Sequence, residues 1–394
     1  MKRLPKQVLL LSLVSLFTDM ASEMLYPITP IFLSSVLGAS MAVVGMIEGL
    51  AEVTAGLLKG YFGVLSDKLG KRSIFVVLGY SFSALSKPLP GIFPNTLAVL
   101  ISRVTDRVGK GIRTSPRDAL LASYAENNTG AVFGFHRAMD TLGAVIGPLL
   151  ALLMLNFFRL GYQTIFIIAF IPSLIAVAFT LYVKDKKSEI SSQPKTDLWN
   201  FWKSSPSQYK TLFLLITIFS LVNSSDVFLI LKSKNISSSD TLAIAGYIFY
   251  NIIYSASSYP IGLLADKIGK KRVFIIGLII FSFVYFGFAS LNSFAFIWIL
   301  FALYGIYASA TEGVLKAWVS DLVPNQNRGS AIGLITMSSS IAMMIGSIAA
   351  GFLWDAYGSQ VPFYLSSSVS LIVAGLLYWF SLNKPSSSRT RKQH

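Results

Sequence analysis

Seven charged residues lie within one otherwise apolar stretch of this 394-residue chain, and their spacing places them on one side of a helix. At 100° per residue they fall within an arc of about 140°. If the stretch crosses a membrane, each charge costs roughly 2.5 to 3.5 kcal/mol when it faces lipid at mid-depth. We therefore expect the stripe to face a water-filled cavity or carboxylate partners. Its members are Arg103, Asp106, Arg107, Lys110, Arg113, Arg117 and Asp118.

Acidic residues that could pair with these bases occur nearby in the first half of the chain. Two pairs have i, i+4 spacing, and the clearly intramembrane acids and bases of the first half balance at seven each. A purely structural role is equally open for any one of them. For the whole set a function is favoured, because replacing buried ion pairs with apolar residues is often neutral or stabilising. The acids are Asp19, Glu23, Glu48, Glu52, Asp106, Asp118 and Asp140, and the bases are Lys87, Arg103, Arg107, Lys110, Arg113, Arg117 and Arg137.

Proton exchange between the two sides of a membrane requires a carboxylate that can bind and release a proton. Asp19 and Glu23 fit best, since two acids one helical turn apart titrate as a pair. Asp140 ranks next. His136 is the only histidine in a predicted span, and a proton relay and a packing role are equally open for it. A metal site is disfavoured, because one histidine and scattered carboxylates among many arginines repel cations.

Two kinds of solute fit the remaining polar residues. The basic excess at Lys110, Arg113 and Arg117 suits a carboxylate or phosphate group, so an anionic or zwitterionic organic solute is the first interpretation. Alternatively these bases are neutralised by the acids, and an amphipathic, drug-like compound binds an aromatic wall. That wall and its polar neighbours are Phe228, Tyr247, Tyr250, Tyr254, Tyr304 and Tyr307, with Asp226, Asn251, Glu312 and Lys316.

The elements that carry these residues are predicted to be membrane-spanning helices. With 54% hydrophobic residues, a mean hydropathy of +0.63 and only 13% charged residues, the chain has too little polar surface for a soluble globule. Twelve apolar runs of about 20 residues or more predict an all-α membrane protein with twelve helices in two groups of six. They lie at 7–34, 38–65, 73–93, 95–125, 129–157, 160–183, 208–232, 240–265, 272–291, 293–320, 329–354 and 358–382.

Lysine and arginine cluster in alternate loops, which places both termini in the cytoplasm. The net charge of +15 follows from this topology and is poor support for nucleic-acid binding. No small-x-small cleavage site follows the first run, so we expect it to stay attached. The predicted divisions are a first bundle, a cytoplasmic linker, a second bundle and a tail, at 1–183, 184–207, 208–382 and 383–394.

A ten-residue phrase occurs once in each half of the chain. GVLSDKLGKR begins at Gly63, and GLLADKIGKK begins at Gly262, 199 positions later. Both resemble the loop motif between helices two and three of the major facilitator superfamily, which implies two pseudo-symmetric six-helix bundles and a role for these loops in conformational gating. The matching residues are Gly63, Asp67, Gly70, Lys71 and Arg72, and Gly262, Asp266, Gly269, Lys270 and Lys271.

Two further segments resemble motifs of the same superfamily. In the fifth run, Gly134, Gly143, Gly147 and Pro148 have the spacing of its antiporter motif, which implies an exporter, although Ala151 and Leu152 replace the final glycines. In the fourth run, Arg107 takes the position of an arginine that the superfamily links to proton coupling or substrate binding. There Lys110 replaces the usual glutamine.

The resemblance therefore implies a secondary transporter that works by alternating access, and more specifically a proton-coupled exporter of a small organic solute. A proton-coupled symporter that imports an organic anion is the alternative, and a lipid-moving or non-transporting membrane protein is a third possibility. No nucleophile and base set or nucleotide loop indicates an enzyme. We expect a monomer in the cytoplasmic membrane that interacts with its solute, protons and lipid, and that needs no cofactor.

Overall fold

The fold is described by a computed structural model covering residues 5–125, 129–185, 198–291, 293, 295–324 and 327–382, and these contain helices but no β-strand. In the first half the helices are α1 (Lys6–Leu25), α2 (Ile28–Ile31), a π-helical turn (Phe32–Val36), α3 (Met41–Leu69), α4 (Arg72–Ser86), α5 (Leu89–Ile92), α6 (Thr96–Ala125), α7 (Thr129–Asn156), α8 (Tyr162–Ile168) and α9 (Phe170–Thr180). They are followed by α10 (Leu198–Ser204), α11 (Ser207–Ser220), α12 (Val227–Ser237), α13 (Asp240–Ile268), α14 (Lys270–Ser290), α15 (Ala295–Leu322), α16 (Arg328–Tyr357) and α17 (Val361–Leu382).

Eight helical segments among the described residues are long and apolar enough to cross a membrane, which confirms an all-α membrane fold. The other four predicted spans are helical as well, but α4–α5 and α11–α12 are interrupted, α6 is highly charged, and α13 is rich in serine and tyrosine. The twelve crossings and the cytoplasmic termini stay predictions. The eight segments are Lys6–Val36, Met41–Gly63, Phe135–Asn156, Tyr162–Thr180, Lys270–Ser290, Ala295–Leu322, Arg328–Tyr357 and Val361–Phe380.

Prolines explain two of the helix breaks. Pro27 follows the end of α1, and Pro88 separates α4 from α5; proline lacks the N–H that would donate the next helical hydrogen bond. The break between α11 and α12, at residues 221–226, contains no proline and reads LVNSSD. It lies beside the largest group of tyrosines in the protein, and the apolar pattern of the sequence gave no indication of it.

Helices of the two halves meet along two seams, α3 against α16 and α7 against α13. Glycines make the first seam close. A Cβ atom at Gly45 would lie 2.1 Å from the Ser347 carbonyl oxygen, and one at Gly351 would lie 2.2 Å from that of Met41. Backbones can approach this closely only where side chains are absent. The division of the chain at 184–207 stays a prediction, because the linker is described only at 184–185 and 198–207, and the tail at 383–394 lies outside the described residues.

The repeated phrase forms the end of a long helix in both halves. Gly70 ends α3 with φ of +62°, and Gly269 ends α13 with φ of +99°, which are conformations that favour glycine. The α4 helix that follows the first phrase is capped by Asp185, whose carboxylate accepts hydrogen bonds from the backbone N–H groups of Arg72 and Ser73 at 2.9 and 3.0 Å. Asp266 is exposed, and the side chain of Asp67 lies outside the described part of the structure.

Candidate functional site

The charged stripe of α6 contacts carboxylates and hydroxyl groups of neighbouring helices. Arg103 donates two hydrogen bonds to Glu48 of α3, from Nε to Oε1 at 2.9 Å and from Nη2 to Oε2 at 2.5 Å. Its guanidinium also lies 5.4 Å from the centre of the Tyr26 ring. Such a bidentate pair is the strong form of the arginine–carboxylate contact, and both members are buried in this structure.

Other bases of the first half are engaged in the same way. The Lys87 ammonium lies 3.2 Å from the carboxylate of Asp106 and donates to Ser22 at 2.8 Å, although the residue is only 3% exposed. Arg117 pairs with its neighbour Asp118 at 2.9 Å. Arg113 donates to the hydroxyl of Ser83 and stacks 4.4 Å above the centre of the Tyr80 ring. Most of the positive charge is therefore already neutralised or bonded within the first half.

A small cavity of about 50 Å³ lies inside the first half, large enough for a few water molecules. Asp19 and Glu23 line it together with Lys110 and Arg113, so two of the predicted proton-coupling residues and two of the predicted solute-binding residues share it. Asp19 has no hydrogen-bond or ion-pair partner within the described residues. Glu23 accepts a hydrogen bond from Tyr247 of the second half at 2.9 Å.

The remaining predicted proton-coupling pair lies on α7, next to α1. His136 Nδ1 and Asp140 Oδ2 are 3.5 Å apart. Among the described residues, the other nitrogen of His136 and the other oxygen of Asp140 are buried without a hydrogen-bond partner. The two helices can approach closely because Gly143 has no side chain. A Cβ atom at that position would lie 2.4 Å from the Leu16 carbonyl oxygen, which is too close. Gly147 makes an equally close approach at Met20, so these two of the predicted antiporter-motif glycines lie in the seam between α1 and α7.

The second half presents a wall of tyrosines whose hydroxyl groups bind carboxylates. Tyr304 donates to Asp226 at 2.6 Å, and Tyr254 donates to Glu312 at 2.8 Å. Neighbouring ring centres along the wall are 5.0 to 6.2 Å apart. The rings belong to Tyr26, Tyr247, Tyr250, Tyr254, Tyr304 and Tyr307, of which Tyr26 comes from the first half.

A central cavity of about 290 Å³ lies between the halves and is lined by four of these rings. Its charged residues are Glu48, Glu52, Asp226, Glu312 and Arg107. A second cavity of about 300 Å³ adjoins it and shares Glu52, Asn223, Tyr307, Glu312 and Met343 while adding Lys316. The central cavity therefore brings together Asp226, Glu312 and Arg107 from the predicted set.

Other predicted solute-binding residues lie elsewhere. Lys110 and Arg113 line the small first-half cavity, and Arg117 turns to Asp118 and to Ser15. The side-chain amide of Asn251 donates to the carbonyl of Tyr247 in its own helix. The sequence prediction gave no binding role to Glu52 or Tyr26, which both line the central cavity. For Glu52 the i, i+4 spacing from Glu48 was the one feature of the sequence that pointed to it.

One end of the interface between the halves is open and the other is closed. A cavity of about 600 Å³ extends past Glu312 and Lys316 to Asp266 and the exposed ring of Tyr259, at the end that carries the repeated phrase. At the opposite end Asp355 of α16 accepts hydrogen bonds from the N–H groups of Met41 and Ala42, at 3.0 and 2.7 Å.

Asp240 strengthens this closed end. It pairs with Lys234 at 2.6 Å and accepts a hydrogen bond from Tyr162 of the first half. Thr241 beside it donates to Asn156 at 2.9 Å. The structure is therefore the state in which the interior communicates with the side that the basic loops assign to the cytoplasm. The described part of the chain contains no group of three or more His, Asp or Glu residues that could hold a metal ion.

Comparison with known proteins decides the family. The family model of the Major Facilitator Superfamily matches residues 11–249 and 228–394. The chain belongs to the major facilitator superfamily. It is 38% identical over 385 residues to an uncharacterized MFS-type transporter of Methanocaldococcus jannaschii, with 96% of both chains covered.

More distant superfamily members agree with this assignment. The chain is 20% identical over 364 residues to the multi-drug resistance efflux pump PmrA of Streptococcus pneumoniae, covering 89% of this chain and 90% of the pump. The crystal structure of the nucleoside transporter NupG matches with a TM-score of 0.78 at 15% identity, covering 96% of this chain and 100% of that one. The chain is thus a multi-pass membrane transporter, which confirms that it is not an enzyme.

Proposed function

We propose that the protein is a proton-coupled secondary transporter that exports a small organic solute across the cytoplasmic membrane as a monomer. The observation that carries the proposal is the central cavity, which lies between the two halves, leads towards one end and is closed at the other. Alternating access requires this arrangement together with a second state that is open at the opposite end. The superfamily assignment supports the transport part of the proposal.

The carboxylates of α1 are the groups we assign to proton coupling. Asp19 has no partner among the described residues, and Glu23 is held only by a neutral tyrosine hydroxyl, so protonation of either breaks no ion pair. By contrast, Glu48 and Asp106 are bound to bases and would lose an ion pair on protonation. Asp140 and His136 lie on α7 next to α1 and offer unbonded polar atoms that accept or pass on the proton. Arg107 lines both the central cavity and the small cavity of Asp19 and Glu23.

The movement is assigned to the loops at Gly63 to Arg72 and Gly262 to Lys271, and to the glycine seams. Both loops join a long helix to the next helix of the same half through a glycine with positive φ, so these two helices can change their angle without bending. Close packing at Gly143 and Gly147 keeps α1 and α7 together as one unit while they tilt. The antiporter-like motif and the similarity to an efflux pump support export as the direction.

The test uses inside-out vesicles or proteoliposomes with an imposed acid interior and a mixture of organic solutes, followed by mass spectrometry of the vesicle contents. We expect at least one solute to accumulate only when the gradient is present. The double change Asp19→Asn and Glu23→Gln should abolish the dependence on the gradient, whereas Ser368→Ala, which removes an exposed hydroxyl that donates to Tyr364 of its own helix α17, should not. Accumulation that is fastest without a gradient, and unchanged in the double variant, would refute proton coupling. Accumulation driven only by the opposite gradient would favour the importing symporter instead.

A further inference from the structure

We infer that the central cavity binds an organic cation with an aromatic or bulky apolar group, held by Asp226, Glu52 and the tyrosine rings. This inference deepens the proposed function by naming the class of solute. Only the statement that the bound cation is also transported rests on the proposed function. It differs from the anionic solute that the basic stripe of α6 suggested.

The charges that face the central cavity are mostly negative. Glu48 is neutralised by Arg103, which leaves the carboxylates of Glu52, Asp226 and Glu312 against the single guanidinium of Arg107. An excess of one carboxylate remains when Lys316 of the adjoining cavity is included. The bases that favoured an anion lie elsewhere, because Arg113 and Arg117 are bonded within the first half.

The partners of these carboxylates leave their charge available. Asp226 and Glu312 accept hydrogen bonds from neutral tyrosine hydroxyls, which hold the carboxylates in position without neutralising them. Glu52 forms neither a hydrogen bond nor an ion pair within the described residues. Glu52 is partly buried, and Lys59 and Lys110 act on it without forming an ion pair. A cationic ligand in direct contact would stabilise such a carboxylate, because it supplies the bonded opposite charge that these lysines do not.

The tyrosine rings add a second and independent preference for positive charge. Tyr26, Tyr250, Tyr304 and Tyr307 all line the central cavity, and Tyr304 and Tyr307 have ring centres 5.2 Å apart. Aromatic faces attract cations within about 6 Å and also contact apolar groups, whereas they repel anions. At about 290 Å³ the cavity approaches the volume of sites that hold drug-sized molecules.

The experiment compares two ligands that share a benzyl group and differ in charge. Benzyltrimethylammonium and benzylsulfonate are titrated calorimetrically into the purified full-length protein in detergent. We expect the cation to bind at least tenfold more tightly than the anion. Glu52→Gln and Asp226→Asn should each weaken binding of the cation about tenfold or more. Asp321→Asn removes an exposed carboxylate that pairs with Lys270 outside the central cavity, and it should leave binding unchanged.

Folding of every variant is checked by gel filtration and thermal unfolding in the same detergent. If Asp226→Asn does not fold, Glu52→Gln decides the question, because Glu52 has no hydrogen bond or ion pair among the described residues that the change would remove. Tighter binding of benzylsulfonate, no measurable binding of the cation, or cation binding that Glu52→Gln leaves intact would each overturn the inference.

Transport separates this inference from the proposed function. Binding of benzyltrimethylammonium without gradient-driven accumulation in proteoliposomes would support the cation site and refute coupled export of that ligand. Gradient-driven accumulation of benzylsulfonate but not of the cation would support proton-coupled transport and overturn the cation site.

Discussion

The two halves of the molecule hold several of their carboxylates in different ways. In the first half Glu48, Asp106 and Asp118 bind arginine or lysine, whereas in the second half Asp226 and Glu312 bind tyrosine hydroxyls. An ion pair fixes both charges and favours one arrangement of the helices around it. A tyrosine fixes only the position of the carboxylate and leaves its charge to act on a ligand. The difference suggests that the first half provides rigid charge pairing, and that the second provides the surface on which a solute binds.

The largest effect is expected from breaking the ion pair between Arg103 and Glu48. Arg103→Met leaves a buried carboxylate without its partner and should lower stability by about 3 to 5 kcal/mol. The double change Arg103→Met and Glu48→Leu should recover most of that loss, because no buried charge is then left unpaired. Thermal unfolding in detergent measures both, and equal destabilisation by the single and double changes would contradict this account of the pair.

The carboxylates of α1 should affect coupling rather than stability. Asp19→Asn with Glu23→Gln should reduce gradient-driven accumulation at least tenfold while changing the unfolding temperature by no more than a few degrees. The reason is that Asp19 has no partner among the described residues and Glu23 has only the hydroxyl of Tyr247. The corresponding change at Asp106, which carries an ion pair, should instead destabilise the protein. If the double variant unfolds as readily as Asp106→Asn, Asp19 and Glu23 stabilise the fold in the same way as the ion-paired carboxylates, and the prediction is wrong.

A smaller effect is expected at the closed end of the interface. Asp355→Asn weakens two hydrogen bonds from the start of α3 and removes a negative charge that is favourable at a helix N-terminus. Together these interactions contribute about 1 to 2 kcal/mol. The population open at that end should rise several-fold. Because the chain contains no cysteine, spin labels introduced with Val36→Cys and Asn235→Cys report the opening directly by their distance distribution. An unchanged distribution would exclude Asp355 from the closure.

The smallest effect is expected for a tyrosine hydroxyl of the second half. Tyr304→Phe keeps the ring and removes the hydrogen bond to Asp226, which should cost about 1 kcal/mol of stability. Compared with Arg103→Met by the same unfolding assay, the loss should be severalfold smaller. A loss as large as that of Arg103→Met would mean that the carboxylates of the two halves are held equally strongly.

Periodicity in the sequence predicted which face of each helix is polar, but not which neighbour that face meets. The α6 stripe and the carboxylates around it were identified from spacing alone, since 3.6 residues per turn fixes direction around the helix axis. Arg113 and Arg117 share that stripe and were assigned to one binding site. In the structure Arg113 contacts Ser83 of α4, and Arg117 contacts Ser15 of α1 as well as its neighbour Asp118. The partners on other helices depend on how α4 and α1 are placed in three dimensions.

The break between α11 and α12 illustrates a second limit. Residues 221–226 interrupt an apolar stretch that reads as a continuous span, and the interruption brings Asn223, Ser225 and Asp226 to the central cavity. A backbone without helical hydrogen bonds is tolerated at this depth only because the cavity and neighbouring helices supply partners. Those partners include Ser347, which accepts from the Ser225 N–H, and Ser366, which donates to the Val222 carbonyl. They come from α16 and α17, and a local sequence pattern does not reveal them.

The hydrogen bond from Tyr247 to Glu23 is shared by the two halves of the protein. Any bond that spans a moving interface obeys thermodynamic reciprocity. If a proton on Glu23 changes the equilibrium of opening by some factor, then opening must change the proton affinity of Glu23 by the same factor. A spectroscopic titration of Glu23 in each state would therefore measure the energetic link between proton and movement, without any knowledge of the solute.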